Sequence, residues 1–169
     1  MKIDGHGRAK ILTQAEIQLL FDEGFVTERN RVLFSVALFA AARINEVCTL
    51  LTQDLYDRRG QVCPHLLIRK KNSKGQLATR TIPIIEALRR QLTPYSQQAG
   101  DPYLFPGRFG GHLHPDSAAR ILRKACQQVG IEGASTHSFR RTALTHWTLD
   151  KRRCPCWKSR AKKGSGEVN

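Results

Sequence analysis

The sequence predicts an α+β, mainly helical fold with one small β-hairpin sheet. Three observations lead there. Apolar residues recur at helical spacing over both flanks of the chain. The period changes only between about residues 61 and 83, and the turn-forming text "NSKG" lies between the two segments of that stretch. At 169 residues and 40% hydrophobic, the chain suits one domain with a core of its own.

The elements follow in order. "LTQAEIQLLFDEG" opens the domain: Thr13 and Glu16 have capping-box spacing, Ile17, Leu20 and Phe21 share a face, and Gly24 stands where the helix should stop. A second helix is predicted from about 28 to 40 on the spacing of Val32, Leu33, Val36, Ala37 and Ala40. "AARINEVCTLL" places Arg43, Glu46, Val47 and Leu50 on the next helix, and a short strand is expected around Leu55–Tyr56. "HLLIRKK" and "ATRTIPI" form the hairpin, with a basic tip of Arg69, Lys70, Lys71 and Lys74. "IIEALRRQLTPY" returns to helix and should break before Pro94. After a Gly/Pro-rich loop, a helix runs from Pro115 to a stop at Gly130 and carries Arg120, Arg123 and Lys124. A last helix starts near Ser135 or Thr136, with His137 and Arg140 on one face. The expected organisation is an N-terminal extension (1–10), a domain over 11–147, and a basic tail without apolar period (148–169), expected to be disordered.

Charge narrows the function. Lys and Arg number 28 against 14 Asp and Glu, a formal +14, which favours polyanions because neutralised phosphates release condensed counterions. Nucleic acid is the expected partner. No membrane partner is expected: the longest apolar run, "VLFSVALFAAA", falls short of the roughly 18 residues of a span. "MKIDGHGRAK" has no apolar core of a secretory signal, so a cytoplasmic location is expected, nucleoid-associated when DNA is bound. No metal site is read: Cys154-Pro-Cys156 lacks zinc half-site spacing, and His112 and His114 are taken as ordinary loop histidines. Cys48 and Cys126 fall in apolar helical patterns and read as buried small hydrophobes.

Three separated pieces share one chemistry: Arg43, the lysine-rich hairpin, and His137-x-x-Arg140. Metal-free phosphoryl transfer on DNA must stabilise a phosphorane with extra negative charge, and two guanidiniums can grip its non-bridging oxygens in bidentate fashion. A lysine can protonate the leaving 5′-hydroxyl, and a histidine can move protons about the nucleophile. Glu46, three residues after Arg43, is suited to hold it by an ion pair.

"AARINEVCTL" resembles the first conserved box of the tyrosine recombinases (phage integrases), A-x-R-x-x-E followed by an apolar residue, and "THSFRRTALT" resembles the second, H-x-[LF]-R-[RH]-x-x-x-T. The resemblance runs from about 10 to 146. It implies the DNA breaking-rejoining catalytic-domain fold, and strand cleavage and rejoining on double-stranded DNA through a 3′-phosphotyrosyl bond. No cofactor is implied, and other recombinase subunits are implied partners, since the family works as tetramers. By the same resemblance Arg43 and Arg140 match the phosphate-clamping arginines, His137 the histidine of the second box, and Glu46 the acidic buttress. Lys74 is assigned as the hairpin lysine, with Lys70 and Lys71 as alternatives. Lys70, Lys71, Arg120, Arg123, Lys124 and Arg141 are expected to contact DNA.

The chain departs from the family where the nucleophile belongs. Its three tyrosines, Tyr56, Tyr95 and Tyr103, all precede His137, and the family's N-terminal core-binding domain has no counterpart. The sequence thus reads as a catalytic domain truncated before its tyrosine and missing its C-terminal helices, expected to be inactive alone. The alternative is a non-enzymatic DNA-binding module that modulates a full-length recombinase.

Overall fold

The computed structural model describes residues 9–70 and 78–149; Lys71 and Lys74, and the basic tail with Cys154 and Cys156, lie outside the described residues. Six helices and one two-stranded sheet make up the described regular structure: α1 (Gln14–Leu19), α2 (Glu28–Phe39), α3 (Ile44–Cys48), β1 (His65–Ile68), β2 (Arg80–Pro83), α4 (Glu86–Tyr95), α5 (Pro115–Gln128) and α6 (Thr136–Leu149). The α+β, mainly helical expectation holds.

Helix α2 is the centre of the molecule. All seven residues from Val32 to Leu38 are buried, so the apolar run is a core helix with no solvent face. Helices α3, α4 and α6 pack against it, while α5 lies on α3, α6 and the end of the first helix. Phe25 stacks on Phe34 with ring centroids 4.6 Å apart, and Phe139 of α6 approaches Phe34 at 5.0 Å. These rings tie α6 to α2 and to the segment just before it.

The N-terminus of α1 forms as its residues dictate. Glu16 N–H donates to Thr13 Oγ1 (3.2 Å), and Thr13 N–H donates to Glu16 Oε2 (2.9 Å). The helix then loosens into a π-helical turn over Leu20–Gly24. Gly24 is buried there against α5: a Cβ would meet Leu20 Cδ2 at 3.2 Å and Ala125 Cβ at 3.4 Å, a tight fit that favours glycine.

Helix α2 ends in a Schellman motif whose capping residues, Ala40 to Ala42, are all alanine. Ala42 N–H donates to Ala37 O (3.1 Å) and Ala41 N–H to Leu38 O (3.2 Å), with Ala41 at φ 45°. This reversal delays the next helix, so Arg43 is its N-cap and not a residue within it, and Leu50 lies beyond its end. Between α3 and β1 the chain makes a 3₁₀ turn at Thr52–Asp54, and the strand expected at Leu55–Tyr56 is reduced to an isolated bridge from Tyr56 to Val62.

β1 and β2 pair antiparallel, with Leu66 opposite Ile82 and Ile68 opposite Arg80. Helix α4 does not break before Pro94 but contains it in its last turn. A proline there removes one terminal hydrogen bond, while burial of Tyr95 against Phe105 (5.8 Å between centroids) keeps the turn in place. Helix α5 runs from Pro115 and is followed by Gly130 at φ 69°, as its start and stop signals predict.

A candidate phosphate clamp around Glu46

Arg43, Glu46 and Arg140 come together at the C-terminal end of α2. Glu46 is 1% exposed, its carboxylate fixed first by its own turn: Oε2 accepts the Arg43 N–H at 2.7 Å. Three guanidiniums then converge on it. Arg43 Nη1 lies 3.3 Å from Oε1, Arg80 Nη2 2.5 Å from Oε2, and Arg140 Nη1 3.8 Å from Oε2. Three positive charges and one negative leave an excess of two positive charges (3 − 1) about a buried anion. Such an arrangement can receive a further anion with several oxygens, because guanidiniums oriented by a shared carboxylate need no reorganisation to donate.

The backbone helps aim Arg140. Its Nη1 donates to the Ala41 carbonyl at 2.8 Å, and the left-handed turn at Ala41 presents that carbonyl. The three arginine side chains remain 37%, 24% and 21% exposed for Arg43, Arg80 and Arg140, enough to meet a ligand from solvent.

His137 stands exposed in the first turn of α6, three residues before Arg140 and so on the neighbouring surface. Lys70 is exposed just past β1, its N–H donating to Thr79 Oγ1 (3.1 Å). Arg120, Arg123 and Lys124 are exposed on α5, where Arg120 Nη2 also reaches Ser117 Oγ at 3.1 Å. Arg141 is half-buried and donates Nη1 to the carbonyl of Ala9, the first described residue, so its guanidinium is engaged within the fold. His114 accepts the Asp116 N–H at the start of α5, and His112 Nδ1 sits 2.9 Å from Leu113 O with its ring edge-on to Tyr103. Among the described residues no group of three His, Cys, Asp or Glu could hold a metal ion, and no helix there is long and apolar enough to cross a membrane.

The tyrosines lie in settled environments. Tyr56 OH donates to Leu92 O (2.7 Å) and Tyr95 OH to Leu104 O (3.4 Å), both buried, and burial raises both phenols above their ordinary pKa. Tyr103 is half-buried.

Sequence reasoning missed Arg80. One signal was available: in "RTIPI" it shares the strand face of Ile82, and an arginine on a core-facing period needs an anion within reach. Arg69, read as part of the basic tip, instead grips Asp54, which is 3% exposed, through Nε–Oδ1 (3.0 Å) and Nη2–Oδ1 (2.7 Å). That bond raises the Arg69 pKa above its ordinary value.

A mainly helical domain thus gathers three arginines around one buried carboxylate just past the end of its central helix. The sequence pattern of the Phage integrase family matches residues 10–149, and the chain belongs to that family. It is 28% identical over 136 residues to a tyrosine recombinase of Pseudothermotoga lettingae, covering 80% of this chain and 46% of the relative. It is also 28% identical over 122 residues to the probable integrase/recombinase YoeC of Bacillus subtilis, covering 71% and 63%. The chain therefore spans about half the length of these curated relatives. A lambda integrase tetramer bound to a Holliday junction shares the fold, with a TM-score of 0.71 at 15% identity over 98% of this chain and 51% of that one.

Proposed function

We propose that this chain is the phosphate-gripping part of a site-specific DNA recombinase, acting on double-stranded DNA. One observation carries the reading: the guanidiniums of Arg43 and Arg140, 97 residues apart in sequence (140 − 43), are oriented on the same buried Glu46 carboxylate. In this reading both arginines donate to the non-bridging oxygens of the scissile phosphate, and the charge they offset grows as the phosphorane forms. His137, exposed beside Arg140, exchanges protons with the attacking and bridging oxygens. Lys74, with Lys70 and Lys71 as the alternatives, protonates the leaving 5′-oxygen. The exposed Arg120, Arg123 and Lys124 add contacts to the DNA backbone.

The same reading makes the 169-residue chain a DNA binder that does not attach itself covalently. Tyr56 and Tyr95 are buried with their hydroxyls donated to carbonyls, and raised phenol pKa values disfavour the nucleophilic phenolate. A native gel shift with a short duplex, beside a denaturing gel of a nicked phosphorothiolate duplex, tests both parts. The expected result is a shift that weakens steeply with salt, an Arg140→Ala variant that binds less tightly, and no covalent adduct. A covalent adduct abolished by Arg140→Ala would overturn the claim of no self-attachment. Binding unchanged by salt and by Arg140→Ala would overturn the clamp.

A further inference from the structure

Both strands of the β1–β2 hairpin are held at their turn-side ends by one kind of device. Arg69 follows Ile68, whose cross-strand partner is Arg80, so the two arginines stand at the turn-side end of the same ladder. Arg69 is gripped by buried Asp54 and Arg80 by buried Glu46. Each carboxylate is first fixed by the backbone three residues before it: Leu51 N–H donates to Asp54 Oδ2 at 3.3 Å, and Arg43 N–H to Glu46 Oε2 at 2.7 Å. Two short turns, Ile44–Cys48 and Thr52–Asp54, thus each extend one buried anion to one strand. The anchors differ in one respect. The ion pair of Asp54 is with Arg69, whereas Glu46 pairs with Arg43 and Arg140 as well as Arg80.

We infer that Arg80 is a positioning residue that couples the turn-side end of the hairpin's ladder to the arginine clamp. Its bond to Glu46 seats β2 beside Arg43 and Arg140. Its charge also competes for the carboxylate, so that Glu46 orients the other two guanidiniums without neutralising them. Arg69 anchors the same hairpin through Asp54, away from the Glu46 ion pairs. The inference rests on the phosphate-clamp reading above.

The test uses the 169-residue chain with Arg80→Met, Arg80→Lys and Arg69→Met. The two methionine variants each remove one positive charge, so long-range attraction to DNA is matched between them. Amide hydrogen exchange without DNA reads the anchors. Peptides covering 65–70 and 78–83 should exchange roughly tenfold faster in both methionine variants, the scale of one lost charge-assisted bond, while α2 peptides stay protected. Affinity for a short duplex reads the coupling. Arg80→Met should lose about fivefold or more relative to Arg69→Met, and Arg80→Lys should recover part of that loss.

Equal loss of affinity in the two methionine variants would overturn the coupling and leave Arg80 a structural anchor. Unchanged exchange at the hairpin would overturn the anchoring itself. If the unaltered chain fails to bind duplex, the clamp reading and the coupling fall together, and the exchange result still decides the anchor. Should Arg80→Met unfold, visible as lost protection in α2, Arg80→Lys carries the comparison, since it keeps the charge and loses the fork: affinity below that of the unaltered chain with α2 still protected would support the role, and unaltered affinity with faster hairpin exchange would overturn it.

Discussion

Arg140 donates its Nη1 to the Ala41 carbonyl at 2.8 Å, across 99 residues of sequence. The acceptor is available because Ala41 adopts φ 45°, a conformation that costs an L-residue roughly 1–2 kcal/mol. The central helix therefore ends in a strained turn whose carbonyl helps aim a guanidinium on the last described helix. Local strain, a tertiary hydrogen bond and the clamp's geometry are linked through one residue.

A valine at this position should expose that link. Ala41 is 7% exposed, and a β-branched side chain there meets both the left-handed backbone and a packed surround. Ala41→Val is expected to lower stability by about 1–3 kcal/mol in urea unfolding, with a weaker duplex affinity in the fraction that stays folded. Unchanged stability would mean that the turn relaxes without cost.

Glu46→Gln isolates the charge of the hub from its shape. The amide oxygen can still accept the Arg43 N–H, but three guanidiniums lose their counterion. Breaking a buried ion pair on one side typically costs 3–5 kcal/mol, and the partial exposure of these arginines lets water offset some of it, so about 2–4 kcal/mol is expected. Denaturant midpoints at low and high salt would check this. The deficit should shrink at high salt, where the mutual repulsion of the arginines is screened.

The local signals were legible in the sequence, and the distant pairings were not. Thr13 with Glu16, and Pro115 with Gly130, announce helix ends because capping acts within a few residues. The buried α2 was legible from its apolar run. The start of α3 was not, because the turn before it uses Ala40, Ala41 and Ala42, and an alanine in the left-handed region leaves no mark in the text. Arg43, Glu46 and Arg140 were found through their boxes, yet the convergence of Arg80 on Glu46 depends on how the hairpin packs. Likewise Arg69 looked like one of four solvated cations until Asp54 was seen buried beneath it. Charge pairing across 15 and 34 residues is a property of the tertiary fold, which spacing alone does not encode.

Thiol reactivity should separate buried from accessible cysteines. Cys48 is fully buried, and burial pushes its thiol up to about 12, while burial also raises Cys126. The thiolate is the reactive species, so neither should alkylate in the native protein at pH 8, whereas half-buried Cys63 should react. Mass-spectrometric mapping after brief iodoacetamide treatment checks this. Labelling of Cys48 as fast as Cys63 would show that the α2–α3 packing opens readily.

The N-terminal capping box gives the pH dependence a definite sign. Glu16 has its pKa lowered, first by the Lys10 hydrogen bond (2.5 Å) and then by the Thr13 N–H. A depressed carboxyl contributes stability that is present above its ordinary value of 4.5 and is lost as pH falls through the lower folded value. A glutamine at this position can still close the capping box but loses the partly exposed Lys10 ion pair, so Glu16→Gln should destabilise the protein at neutral pH by about 0.2–1 kcal/mol. The difference should narrow as pH falls below 4.5, because the wild-type carboxyl is then protonated in both folded and unfolded chains. Thermal unfolding of the two proteins at pH 7, 5 and about 3.5 would follow it. A gap that stayed constant toward acid would mean that the glutamine fails in its shape and not in its charge.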